Sequence, residues 1–178
     1  ARGALNAVWL ALAAAGVHRL AGLLGASAPA RWGAVAVFAT LPMTQSLAAN
    51  LQTELPAAAA LLWLACVIAD DDASRGRTAR LLAGAFLFGL LCGLKVMHAA
   101  VAMPLLAWAA CRHRHAFAAL LLSPRGLATL ALAALLAGLV GGSSYTYAWF
   151  VAGNPVLPLM NATFQSPYFP PTDFFDER

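Results

Sequence analysis

Long apolar runs, separated by short polar or basic stretches, set the pattern of this chain from end to end. Leu5 to Leu24 predicts a first helix that leaves its apolar surroundings near His18 and Arg19, and Gly25 to Arg31 reads as a turn. Trp32 to Ala49 predicts a second helix bent at Pro42, and Asn50 to Glu54 is a brief polar exit. Thr53 is placed to cap a third helix that runs to about Ala69 and carries Pro56 in its first turn, where the missing N–H has no partner to lose. Two charged stretches follow, Asp70 to Arg80 and Arg112 to His115, and the apolar segment between them is about 30 residues long, too long for one comfortable crossing of a bilayer and short for two. Short arginine-rich loops face the cytoplasm. With both loops inside, the segment becomes a hairpin of two short helices with Lys95 at its outer turn. Ser123 and Pro124 supply an N-cap and first-turn proline for a last long helix to about Val151, which Gly153 to Pro158 ends. Pro167, Pro170 and Pro171 deny helix continuation and Asp173 to Glu177 is acidic, so this stretch belongs in an outer irregular segment.

The expected fold class is therefore all-α: a polytopic transmembrane helical bundle of about five to six spans over residues 1–152, some of them short, then an outer loop segment over 153–178. The whole reads as the central fragment of a longer chain. Composition agrees, with 62% hydrophobic and 10% charged residues and a mean hydropathy of +0.75. The lipid bilayer is the expected surrounding, an integral position in the bacterial cytoplasmic (inner) membrane. Nothing resembles a cleaved signal peptide, and no internal repeat is evident.

The formal charge of +4 comes from arginines in the short loops. Arg19, Arg31, Arg75, Arg77, Arg80, Arg112, Arg114 and Arg125 fall on the inner side of the expected topology, against Arg2, Lys95 and Arg178 outside. No basic stripe interleaves with exposed aromatics, so nucleic acid is not an expected partner. Asp70 to Asp72 reads as a solvated loop beside arginines. Cys111, His113 and His115 alternate with arginines and make a poor metal site, so no metal is assigned. Cys66, Cys92 and Cys111 show no paired spacing and act as small apolar side chains. Gly89 with Gly93, and Gly138 with Gly142, form small-xxx-small pairs that let helices approach closely. Tyr145, Tyr147, Trp149 and Phe150 read as an interfacial aromatic belt. Asn161-Ala-Thr163 matches a glycosylation acceptor by chance.

Candidate chemistry centres on Lys95, the single lysine, because an ammonium in an apolar run asks for an anion, a water-filled cavity or an interface. His98 lies one turn further on a similar face, and Glu54 sits at an outer helix start where the helix dipole favours a carboxylate. The structural alternatives are an interfacial anchor for Lys95, an interior histidine and a helix-capping glutamate.

Three stretches resemble the GT-C class of membrane-integral glycosyltransferases, the superfamily of bacterial protein mannosyltransferases and of aminoarabinose and lipopolysaccharide-core sugar transferases. They are Thr40 to Pro42 with Thr53 to Trp63, Gly89 to Lys95, and Ala152-Gly-Asn-Pro-Val-Leu-Pro158 through Asn161. The resemblance implies transfer of a sugar from a polyprenyl-phosphate carrier to an acceptor lipid, glycan or protein at the outer membrane face. It implies that Lys95 meets the carrier phosphate and that Asn154 borders the substrate cavity, with Glu54 and His98 nearby. The family's catalytic acidic residue lies in a first outer loop that nothing in this chain matches, so no catalytic residue or cofactor is assigned. Tyr145-Thr-Tyr147 departs from the Pro-Trp and Arg-Asn pairs found in relatives. The main alternative is a secondary transporter or permease segment with Lys95 and Glu54 lining its path; a membrane subunit without a site is a third.

Overall fold

The computed structural model describes residues 2–50, 52–72 and 76–172. It is all-α, with nine helices among the described residues: α1 Arg2–Leu23, α2 Ala28–Thr40, α3 Pro42–Ala49, α4 Glu54–Ala69, α5 Arg77–Leu94, α6 Val96–Arg112, α7 Arg114–Leu121, α8 Pro124–Ala152 and α9 Asn161–Phe164. Of these, α1, α5 and α8 are long and apolar enough to cross a membrane. At 16 and 17 residues, α4 and α6 are shorter apolar helices, about 25 Å each against a hydrocarbon layer of about 30 Å.

The expected second helix is not bent at Pro42 but broken there. Leu41 takes an extended conformation, φ −58° and ψ 130°, because the ring of a following proline disfavours the helical region for its neighbour. The chain restarts with Pro42 at the first position of α3. Ser123, by contrast, caps α8 as its sequence predicts, its hydroxyl accepting from the N–H of Gly126 at 3.0 Å. Gly153, left-handed at φ 67°, ends α8, a conformation glycine adopts without a Cβ penalty.

Apolar all round after its initial glutamate, α4 occupies the centre, as such a helix must. It packs against α1, α5 and α6, and its Ala57, Ala60, Leu64 and Ile68 form a core with Leu91 of α5 and Ala102 of α6. The directions of α1, α4, α5 and α6 follow from side-chain bonds. Trp63 of α4 donates to the Leu12 carbonyl of α1 at 3.0 Å, and Arg19 pairs with Asp70 at 3.0 Å, so α1 and α4 run parallel. Helix α5 returns along α4, and α6 reverses again to bring Arg112 within 2.6 Å of Asp71 and the ring of His113 within 3.0 Å of the Ile68 carbonyl.

Both basic stretches therefore meet at one end of the molecule, with Lys95 at the other. That is the arrangement of the expected hairpin. Arg19, Arg31, Arg77, Arg80, Arg112, Arg114 and Arg125 all lie towards the first end; Arg75 falls outside the described residues. Asp70 is not the solvated residue its neighbours suggest. It is buried, holds Arg19 and the Asp72 N–H with its carboxylate, and accepts from Arg80 through its carbonyl at 2.6 Å. The short helix α7, packed on α8, stands where no element was expected. Gly126 sits against the backbone of Leu120 at this junction, with no room for a Cβ.

In the membrane, single cysteines introduced at Gly76 and His115 should react from the same side, and one at Met97 from the opposite side, once Cys66, Cys92 and Cys111 are replaced. Labelling of Gly76Cys and His115Cys from opposite sides would refute the hairpin.

Candidate functional site

Lys95 is the one residue between α5 and α6, in extended backbone at φ −172°. Its N–H still bonds back to the Leu91 carbonyl at 3.3 Å, and its carbonyl receives the N–H of His98 at 2.9 Å. The last carbonyls of α5 have no partners within their own helix. Side chains of α8 serve them instead: the Tyr145 hydroxyl donates to the Cys92 carbonyl and the Ser144 hydroxyl to the Gly93 carbonyl, both at 2.8 Å. Tyr145 thus has a specific partner and leaves the expected aromatic belt, whereas Tyr147, Trp149 and Phe150 remain exposed on α8.

The approach of α8 that makes these bonds possible runs over glycine. A Cβ on Gly89 would meet the Ala137 carbonyl oxygen at 2.6 Å, and one on Gly141 would meet the Gly89 carbonyl oxygen at 2.9 Å. Gly93 is similarly close to Val140 and Gly141. Gly138 and Gly142 face open space instead, so the second expected small-residue pair is off by one helical face. Gly141 does its work.

Across from this turn, the start of α4 presents Thr53 and Glu54. The Lys95 ammonium lies 3.6 Å from a Glu54 carboxylate oxygen, with side-chain exposures of 54% and 38%. The pair is an ion pair too long for a hydrogen bond and open enough to exchange partners. Beside it, His98 Nε2 is 3.2 Å from the Thr53 hydroxyl. Thr53 has helical backbone angles and makes no capping bond, so its hydroxyl joins α4 to α6 instead of closing its own helix. Lys95, Glu54 and His98, each named by its sequence surroundings, are brought together. Thr53 completes a patch of one cation, one carboxylate, one imidazole and one hydroxyl, which can bind an anion and polarise or deprotonate a hydroxyl next to it.

Asn154 is not brought to this patch. Two more turns of α8 carry the chain about 12 Å past Ser144 before Asn154 begins the terminal segment, and no hydrogen bond joins it to Lys95, Glu54 or His98 among the described residues. It is fully buried. Its amide oxygen accepts from the Val156 N–H at 3.0 Å and its amide nitrogen donates to the Leu159 carbonyl at 2.9 Å. Asn161 is buried as well, and its side chain bonds Ser166, Phe169 and Pro170, a position closed to any modifying enzyme. The described part of the terminal segment has no helix beyond the four residues of α9, as its prolines predict; Asp173 to Glu177 lie outside the described residues.

Sequence reasoning missed four contributors. The Thr53 hydroxyl carried only a capping signal. Ser144 and Tyr145 had a visible one, a cluster of hydroxyl side chains inside an apolar helix. Asn6, a lone amide in α1, is buried and donates to the carbonyls of Ala48 and Asn50 at 2.9 and 3.0 Å, satisfying the end of α3. No protein-family description matches this chain, and neither a curated protein nor a solved structure is significantly similar to it.

Proposed function

We propose that the chain is the central, membrane-embedded part of a GT-C-type glycosyltransferase of the bacterial inner membrane, which moves a sugar from a polyprenyl-phosphate carrier to an acceptor lipid, glycan or protein at the outer face. The observation that carries this reading is the half-exposed Lys95 at a helical turn, opposite the arginine-rich end and beside Glu54. A lipid-linked phosphate rests at the depth a lysine reaches from such a turn. The Glu54 pair is no obstacle, since exposed ion pairs contribute about 0 to 1 kcal/mol, less than the roughly 1.5 to 3 kcal/mol of a charge-assisted bond to phosphate. As phosphate takes the ammonium, Glu54 is released towards the acceptor, with the His98–Thr53 contact holding the turn to α4.

Lys95→Met keeps the apolar stem and removes the charge. Donor affinity should then fall about tenfold to hundredfold, measured as sugar transfer from a lipid-phosphate donor by the full-length protein in liposomes. Lys95→Arg should restore part of it, because a planar fork replaces a compact ammonium. Unchanged transfer in a correctly inserted Lys95→Met protein would leave the lysine an interfacial anchor. The pairing of Lys95 with Glu54 between helices favours one second reading, a secondary transporter whose path they line. Solute counterflow in the same liposomes, without sugar transfer, would select it.

A further inference from the structure

At the arginine-rich end, between α4, α5, α6, α7 and α8, lies a cavity of about 500 Å³. That is within the roughly 300 to 1,000 Å³ of pockets that enclose a ligand. Its walls are apolar, with Leu64, Ile68, Phe88 and Phe117 among them, and from Arg77 to Phe88 they follow α5 for about 16 Å. Arg77, Arg80 and His113 stand at the charged end. A second, more open cavity of about 290 Å³ adjoins it through Arg77 and Leu120, which line both, and here Thr78, Ser123, Arg125 and Thr129 add a polar side.

Arg80 and His113 are already engaged with the Asp70 and Ile68 carbonyls. Arg77 and Arg125 are not. Both are exposed, and among the described residues neither has a carboxylate partner. Two like charges beside one open cavity favour an anion between them, and an apolar chamber next door forfeits dispersion contacts while it is unfilled. A free phosphate would answer the first demand only, and an uncharged lipid only the second.

We infer that this is a binding site for an anionic glycerophospholipid of the adjoining leaflet, with its phosphate between Arg77 and Arg125 and one acyl chain in the apolar cavity. Basic pockets between helices on the arginine-rich side of membrane proteins hold headgroups by the same forces. The site is at the opposite end from Lys95 and does not depend on the transferase reading.

Native mass spectrometry of the intact chain in neutral detergent tests it. Phosphatidylglycerol should be retained at least tenfold better than phosphatidylcholine, and the double variant Arg77→Gln/Arg125→Gln should lose that preference. Its lipid-free unfolding temperature should match the parent, because both side chains are exposed. Ala85→Phe, which fills the apolar cavity, should lower phosphatidylglycerol retention about tenfold while the arginines remain. Equal retention of the two lipids, full retention by the double variant, or protection by glycerol 3-phosphate equal to that by the lipid would each overturn the proposal. So would a dimer that Ala85→Phe dissociates without change in lipid retention, since a second copy would then be the occupant.

Discussion

Gly89→Val should destabilise the protein by roughly 3 to 5 kcal/mol, lowering its unfolding temperature in detergent by about 10 °C or more. The obstacle to a side chain here is backbone: the Ala137 carbonyl oxygen at 2.6 Å and its Cα at 2.9 Å from the new Cβ. No rotamer change relieves it, so α8 must retreat. Overpacking alone costs about 1 to 3 kcal/mol. Retreat also separates Ser144 and Tyr145 from the carbonyls of Gly93 and Cys92, at about 1 kcal/mol for each bond lost. Gly138→Val is the control, since nothing lies within 4 Å of its Cβ. Equal unfolding temperatures for the two variants would show that α5 and α8 do not pack through Gly89.

Asn161→Ala should unfasten the terminal segment while leaving the bundle folded. The Asn161 amide oxygen accepts from the Ser166 N–H at 2.9 Å, and its nitrogen serves the carbonyls of Phe169 and Pro170 at 3.0 and 2.8 Å. On either side, Met160 and Gln165 hold left-handed backbone, φ 54° and 51°, a conformation that costs a non-glycine residue about 1 kcal/mol or more and persists only where neighbours enforce it. Losing three buried bonds removes on the order of 3 kcal/mol locally, so amide exchange across 153–172 should accelerate about a hundredfold. Asn161→Asp should not rescue it, because a carboxylate retains the bond to the Ser166 N–H but faces the carbonyls with no donor. Parent-like exchange in the alanine variant would sink the assignment of Asn161 as the centre of this segment.

What the sequence disclosed and what it concealed divide by the range of the interaction. Helix starts and stops set by local chemistry were legible: Ser123 with Pro124, Gly153, and the prolines after Ser166. So was the hairpin, because loop arginines report the side of the membrane one loop at a time. Lys95, Glu54 and His98 were each recognisable from their immediate surroundings, but their meeting depends on how α5 and α6 pack on α4, which no local pattern encodes. Pro42 shows a limit of another kind, since one proline is compatible with a bend or a break, and only the extended backbone of Leu41 makes it a break. The burial of Asp70 was hidden by its two acidic neighbours, which make a run of three read as solvent-exposed. Which glycine of a pair meets another helix is a question of rotation about the helix axis, and spacing alone places Gly138 and Gly141 equally well.

The two hydroxyl bonds from α8 into the end of α5 have a geometric consequence for the lysine next to them. Serine and tyrosine side chains reach the Gly93 and Cys92 carbonyls in a single register of the helix pair. Sliding α8 by one residue moves it about 1.5 Å and turns both hydroxyls away. The 29-residue α8, anchored at its start by Ser123, therefore works as a ruler for the turn that follows α5. The position of the Lys95 ammonium at the end of α5 thus depends on the register of α8, whose hydroxyls bond the residues just before it. A shift in the length of α8 between Ser123 and Ser144 would displace that charge relative to the start of α4, and so loosen or tighten its pairing with Glu54, without altering a residue of the patch itself.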